Sequence, residues 1–171
     1  MRFFWGNGAE PDTAETASAD AHLRQVVAEA LPPGTDLDTV SIVTACAGLL
    51  AGVAYADRDF SAAEAREIER LLGAVEGLGP GGAQAIARAL EAHRVELASV
   101  HAARFARTLR ELGARDLRLH VLHMLVSLAA TDDTITPSEQ TTMRHLTRAL
   151  GLDQDDYNQA QTQHRHKLGL R

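Results

Sequence analysis

Residues 57–64 read Asp-Arg-Asp-Phe-Ser-Ala-Ala-Glu, and they follow the apolar run Leu49–Ala56. Residues 132–139 read Asp-Asp-Thr-Ile-Thr-Pro-Ser-Glu, and they follow a second apolar run, residues 121–130. The two copies align without a gap at an offset of 75 residues. Each copy therefore predicts the same unit, which is a buried helix, a short acidic turn and a second helix.

The end of each acidic turn carries a signal for the start of a helix. The hydroxyl of Ser61 or Thr136 can accept a hydrogen bond from the free amides of the following turn. The carboxylate three residues later, Glu64 or Glu139, can accept in return from the amide of the capping residue. The sequence thus predicts two capping boxes, one in each copy.

Bulk composition restricts the class of protein. A chain of 171 residues that is 45% apolar is long enough for one folded domain with a real core. A formal charge of −6 does not favour nucleic-acid binding, which needs a basic face. The one cysteine, Cys46, cannot form an internal disulfide, and inside an apolar helix its thiol should be buried and unreactive. These features fit a cytoplasmic protein.

The apolar periodicity predicts an all-α fold, a bundle of about seven to eight helices in two pseudo-symmetric halves. No segment alternates with the period of two that marks a strand. We expect a flexible segment over residues 1–14 and a single helical domain over 15–171. The repeated halves span about 36–76 and 116–151. Predicted core positions recur at helical spacing, including Leu23, Val27, Ile68, Leu72, Ile86, Leu90, Phe105, Leu109, Val121, Leu125, Met143 and Leu146.

One stretch reaches the length of a membrane span. Residues Thr39–Ala56 form an uncharged run of 18 residues, but small side chains dominate it. A fully buried central helix is therefore expected in preference to a transmembrane segment.

The doubled pattern resembles the tellurite-resistance TerB-like family. An alanine-rich helix followed by Asp, an apolar residue, Ser or Thr and a capping Glu is found at Tyr55–Glu64 and again at Ala130–Glu139. The resemblance covers about residues 35–168. It implies two halves that flank a helical hairpin, in a small cytoplasmic module of tellurite resistance or the stress response. The family also includes the N-terminal region of DnaJ-type co-chaperones, but this chain lacks their His-Pro-Asp tripeptide.

The acidic turns are the first candidate site. Carboxylates that converge across a pseudo-twofold axis are oxygen ligands suited to Ca²⁺ or Mg²⁺. The spacing is not that of an EF-hand, and the alternative is that the same carboxylates only cap helices and favour their positive ends. The predicted metal ligands are Asp57, Asp59, Glu64, Asp132, Asp133 and Glu139.

Histidines are a weaker candidate for a metal site. His120 and His123 are three residues apart on a predicted helix, and His164 and His166 lie near the end of the chain. A transition-metal site needs three or four converging ligands, which this spacing does not supply. Structural or surface histidines are the preferred interpretation.

Two further features have both a functional and a plain structural interpretation. Arg104, Arg107 and Arg110 recur every third residue, so they form either a docking stripe for an acidic partner or an ordinary solvated helix face. The aromatic start Phe3–Trp5 is expected to pack on the core, with an exposed contact patch as the alternative.

The function predicted from the sequence is a cytoplasmic interaction or scaffold module that is not an enzyme. Its acidic surface would hold a divalent cation, and a protein partner is expected, with homodimer formation as one way to supply it. The alternatives are a metal-dependent hydrolase that uses the same carboxylates and an adaptor that attaches peripherally to a membrane through Phe3–Trp5.

Overall fold

The computed structural model describes residues 13–56, 60–100, 102–131 and 137–164, with the side chains of 13–16, 98–100, 137–139 and 163–164 left aside. The regular secondary structure of these residues consists of helices joined by loops, with no strand. In chain order they are α1 (Thr13–Ala30), α2 (Leu37–Ala54), α3 (Ala62–Gly73), α4 (Pro80–Ala92), α5 (Arg94–Val100), α6 (Ala102–Leu112), α7 (Arg115–Ala129), α8 (Pro137–Ala149) and α9 (Gln154–His164). The predicted all-α class is confirmed, while residues 1–12, which include most of the predicted flexible segment, lie outside this description.

Helix α2 is the centre of the bundle. It begins after Asp36, whose side chain accepts from the amide of Thr39. Helices α1, α5, α6 and α7 all pack against it. Within the described ranges it is the one helix long and apolar enough to cross a membrane, but 67% of that stretch is buried inside the fold. The helix is central, as expected, but it is not fully buried, since its first turn is exposed, with Leu37 exposed by 73%.

Small side chains let the neighbours of α2 approach closely. Gly48 faces Phe105 of α6, and a Cβ atom at Gly48 would stand only 2.2 Å from the phenyl ring. Phe105 is 3% exposed, so its ring fills the space that the missing side chain leaves. The crossing of α2 and α6 therefore depends on glycine at this position.

The predicted apolar stripes form one continuous core. The side chains on these stripes are buried on each of the helices α1, α3, α4, α6, α7 and α8, and Phe60 of the first acidic copy packs against the core. Helix α9, which the sequence marks only weakly, adds Tyr157 and Ala160 to the same core. Both repeated halves thus share a single hydrophobic interior.

The hairpin between the two halves begins with α4 and contains one helix that the sequence did not predict. Helix α4 begins at Pro80, because proline is compatible with the first helical position, where no amide is needed for the ladder. A short helix, α5, follows His93 and was not predicted. It packs on α2 and contributes the buried Leu97 to the core.

Candidate functional site at the acidic turns

The first acidic turn ends in a capping box. The amide of Glu64 donates to Oγ of Ser61 at 3.1 Å, and the amide of Ser61 donates to Oε2 of Glu64 at 2.8 Å. The predicted box is confirmed in this copy. Glu64 is half-buried and one of its oxygens is held by the cap, while Asp57 and Asp59 lie outside the described residues.

The second acidic turn is described only at its edges. Helix α7 closes with the amide of Thr131 donating to the carbonyl of Leu128 at 2.9 Å. Asp132, Asp133 and Thr136 lie outside the described residues, as does the side chain of Glu139. The second capping box and the convergence of the carboxylates accordingly stay predictions.

A hydrogen bond joins the two halves close to both turns. Oγ of Ser127 on α7 donates to Oε1 of Glu67 on α3 at 2.7 Å. Arg70 also holds Glu67, with Nη2 at 2.7 Å from Oε1. This polar link was not visible in the sequence, because the two partners are 60 residues apart.

The link limits how far apart the edges of the turns can be. A helix rises about 1.5 Å per residue, so Thr131 lies about 6 Å beyond Ser127 and Ala62 about 8 Å before Glu67 along their axes. The end of α7 and the start of α3 are therefore each within about 10 Å of one hydrogen bond. The two described edges that this bond reaches, Thr131 after α7 and Ala62 at the start of α3, thus lie in one region of the bundle.

The histidines on α7 lie in unequal surroundings. His120 is exposed, whereas His123 is half-buried and its Nδ1 atom is enclosed without a hydrogen-bond partner among the described residues. Burial, together with the neighbouring His120, lowers the pKa of His123. The described residues contain no group of three histidine, cysteine or acidic side chains that could hold a metal ion. His166 and the side chain of His164 lie outside the description.

Cys46 has the character of a core residue. It is buried in α2, with Sγ 3.9 Å from Sδ of Met124 on α7. Burial raises the pKa of the Cys46 thiol to about 12. A thiol with that pKa is uncharged at neutral pH, and the thiolate is the nucleophilic form, so Cys46 is unreactive in the folded protein.

The arginine stripe on α6 is divided between two environments. Arg104 forms an ion pair with Asp20 of α1, which ties the first helix to the body of the fold. Arg107 and Arg110 are exposed. The stripe is therefore partly a structural contact and partly a solvated face.

A polar network at the start of α9 was missed by sequence reasoning. The amide of Asp156 donates to Oδ1 of Asp153, and the amide of Asp153 donates to Oδ2 of Asp156, both at 3.0 Å. Arg115 of α7 bonds the same Asp156 at 2.7 Å. The signal was present as two aspartates three residues apart, a capping box without its usual Ser and Glu.

A shallow groove lies between α1 and α4, and its lining includes no residue of the two acidic turns. Its volume is about 630 Å³, and His22, Glu29 and Arg88 provide its charged and titratable lining. The ring of His22 meets that of His93 edge to face, with centroids 5.2 Å apart. This contact links the residue after the end of α4 to α1.

The family model described as "Tellurite resistance protein TerB" matches residues 43–162. The chain belongs to the TerB family. The match begins inside α2 and ends inside α9, so it contains both acidic turns, the hairpin between the halves and the Glu67–Ser127 link. A search of curated proteins and a search of solved structures gave no match. The resemblance suggested by the doubled motif is thus confirmed at the level of the family.

Proposed function

We propose that this TerB-family protein is a cytoplasmic helical scaffold, serving tellurite resistance or the stress response, whose acidic turns hold a divalent cation and present it to a protein partner. The observation that carries the proposal is the position of the Glu67–Ser127 hydrogen bond. It joins Ser127, near the end of α7, to Glu67, in the middle of α3, so the helix that precedes the second turn and the helix that follows the first are held together.

Rigid support matters for a cation site made of few ligands. Ca²⁺ and Mg²⁺ take oxygen ligands, and the affinity depends on how many carboxylates are held in place before the ion arrives. Asp57, Asp59, Asp132 and Asp133 are the ligands proposed to carry most of the charge. Glu64 and Glu139, each in the first turn of the helix that follows its acidic turn, are proposed to join the ligand set.

Calorimetric titration with Ca²⁺ and Mg²⁺ tests the cation site. We expect saturable binding with a dissociation constant of about 10⁻⁵–10⁻³ M, in the range of weak sensor and extracellular sites. The stoichiometry identifies the arrangement, because one ion per chain indicates a site shared by both turns and two ions indicate independent sites.

Matched double variants assign the ligands. Asp57→Asn with Asp59→Asn, and Asp132→Asn with Asp133→Asn, should each abolish binding at a shared site. The control pair Asp38→Asn with Asp116→Asn removes the same charge from the first turns of α2 and α7 and should leave the affinity unchanged. Equal loss in all three proteins, or no heat and no shift of Tm in the wild type, would remove the cation from the proposal.

The partner is tested by capture from the native host, with and without the cation. A specific partner should be retained by the wild type and by the control pair, and lost from either turn variant. Retention by all variants would place the contact elsewhere on the surface.

The two rival functions predict different outcomes for the same proteins. A metal-dependent hydrolase would turn over a generic phosphate or carboxylate ester when loaded with the cation, and the turn variants would abolish that activity. A membrane adaptor would sediment with liposomes, and deletion of residues 1–6 would release it. The scaffold is expected to do neither.

A further inference from the structure

The groove between α1 and α4 is shallow because small side chains form its floor. The apolar part of its lining is Val26 and Ala30 on α1 and Gly82, Ala85, Ala89 and Ala92 on α4. At Gly82 the two helices are in contact, since a Cβ atom there would stand 3.0 Å from Cβ of Ala30. The groove therefore has a closed floor and an open side, and its volume of about 630 Å³ is that of a site for a small ligand or a few side chains.

The two helices run antiparallel along the groove. Ala30, at the end of α1, meets Gly82 near the start of α4, whereas His22 contacts His93, the residue after α4. Helix α1 begins at Thr13, about 14 Å before His22 along its axis. The chain therefore enters the fold beyond the His22 end of the groove.

The segment that precedes α1 carries an aromatic group, Phe3–Trp5, within residues 1–12, which lie outside the described residues. The other aromatic residues of the chain are all buried or half-buried, and they are Tyr55, Phe60, Phe105 and Tyr157. Three adjacent aromatic side chains in water would form a large exposed apolar patch. Their burial against an apolar surface of the fold is therefore favourable.

The length of this segment allows the aromatic group to reach the groove. Eight residues lead from Trp5 to Thr13, and an extended chain of that length spans about 26–29 Å. The way back along α1 from Thr13 is about 14 Å to His22 and about 20 Å to Val26. Trp5 can therefore lie between His22 and Val26 without full extension of the chain, and the two phenylalanines then continue towards the end of α1.

Charge and composition favour this segment over a second copy of the folded body. In such an arrangement Arg2 arrives at the end of the groove that Glu29 lines, which pairs opposite charges. Within the described ranges the exposed large apolar side chains are Leu37, Val95 and Leu112, one on each of α2, α5 and α6. None of these three supplies a run of adjacent rings.

We propose that Phe3, Phe4 and Trp5 fold back along α1 and dock in the groove between α1 and α4. The occupant is the chain's own N-terminal segment, with Trp5 at the His22 end. Residues 1–12 and α1 both precede residue 43, where the family match begins, so the docked segment and one wall of its groove lie outside the matched region. Docking is independent of the proposed cation site, and it removes from solvent the group that a membrane adaptor would insert.

The fluorescence of the full-length chain tests the proposal directly, because Trp5 is its one tryptophan. The emission maximum of the native protein should lie at shorter wavelength than that of the urea-unfolded chain. Quenching by acrylamide should be slower, and both properties should be independent of protein concentration. NMR cross-peaks from the indole ring of Trp5 to the methyl groups of Val26 and Ala89 locate the ring without any substitution.

A matched pair of variants tests the groove. Ala85→Glu places a charged side chain at an exposed position of the lining and should return the emission of Trp5 to that of the unfolded chain. Gln84→Glu adds the same charge at the neighbouring exposed position, which is not part of the lining, and should leave the emission unchanged. Circular dichroism checks that both variants keep their helices.

Melting temperatures test the coupling between the segment and the groove. Trp5→Ala should lower the Tm of the wild type by about 3–8 °C, since a buried large apolar side chain is lost. The same substitution should have no effect on Tm in the Ala85→Glu background, because the ring is already released there.

Four results would overturn the proposal. One is a native emission maximum equal to that of the unfolded chain, and another is equal behaviour of Ala85→Glu and Gln84→Glu. Protection of Trp5 that appears only as the protein concentration rises would assign the aromatic group to a second copy. Protection that appears only when liposomes are added would assign it to a membrane.

Discussion

Helices α2 and α7 occupy equivalent places in the two halves, offset by 75 residues, yet they are buried to different depths. Buried residues extend along α2 from Val40 to Ala54, whereas on α7 they begin only at Val121. The first turns of α7 therefore project polar side chains from the bundle. Arg118, which is half-buried, stands where α2 has the buried Val43, so the second half carries a charged side chain where the first half has an apolar one.

A second pair of equivalent positions shows the same division. Gly48 of α2 lies against the ring of Phe105, while its counterpart on α7 is the half-buried His123. The repeated unit supplies the same helices and stripes in each half. The location of each copy in the bundle determines whether a given position must be glycine, as at Gly48, or can carry a polar side chain, as at His123.

The largest expected effect tests whether the two halves are one folding unit. Leu50→Ala on α2 and Leu125→Ala on α7 remove equivalent, fully buried side chains, and each should lower the free energy of unfolding by about 2–5 kcal/mol. Urea denaturation should show one cooperative transition for both variants. Leu112→Ala, at an exposed position, is the control, and a second transition in either core variant would contradict the shared core.

The close crossing of α2 and α6 is tested by two alanine substitutions on one helix. Gly48→Ala places a methyl group against Phe105 and should destabilise the fold by about 1–3 kcal/mol. Gly52→Ala meets no atom within 4 Å and should stabilise it by about 0.5–1 kcal/mol, because alanine is the better helix former. Thermal or urea unfolding measures both, and the same sign for the two variants would disprove the close approach.

The capping boxes of the two halves are compared by removing one hydroxyl from each. Ser61→Ala should lower the free energy of unfolding by about 1 kcal/mol, since it leaves the amide of Glu64 without its acceptor. Thr136→Ala should have a similar effect if the second half repeats the box. Ser41→Ala, inside α2, is the control, and an effect of Thr136→Ala no larger than that of the control would show that the two turns differ.

The smallest expected effect is a pH dependence that resides in the second half. The lowered pKa of His123 means that the unfolded chain binds a proton more readily than the folded protein. The contribution to stability is complete above the unfolded pKa of about 6.5 and declines as the pH falls below it. Melting temperatures between pH 7.5 and 5 should therefore fall less steeply in His123→Gln than in the wild type, with the exposed His145→Gln as control.

Much of the fold followed from local patterns. Helical spacing of apolar residues identified the buried stripes, and the Ser61–Glu64 pair predicted the capping box of α3. Both could be predicted because the residues concerned are within one or two helical turns of each other. Helix α5 escaped notice because seven residues are too few to display a period. The Asp153–Asp156 box was missed because two aspartates replaced the familiar residue types.

The candidate sites were less accessible to sequence reasoning. The acidic turns were evident as a repeat, but the bond from Ser127 to Glu67 that supports them joins different halves. The groove between α1 and α4 depends on how closely these two helices approach at Gly82, and no spacing along the chain encodes it.

By itself, the sequence determined that this protein is all-helical, that it repeats one helix–turn–helix unit, and which face of each helix is apolar, since these depend on the period of neighbouring side chains. Only the tertiary structure decided which half became the centre of the bundle and which polar groups meet. Those outcomes depend on the packing of residues that are distant in the chain, where a single missing side chain, as at Gly48 or Gly82, sets how closely two helices approach.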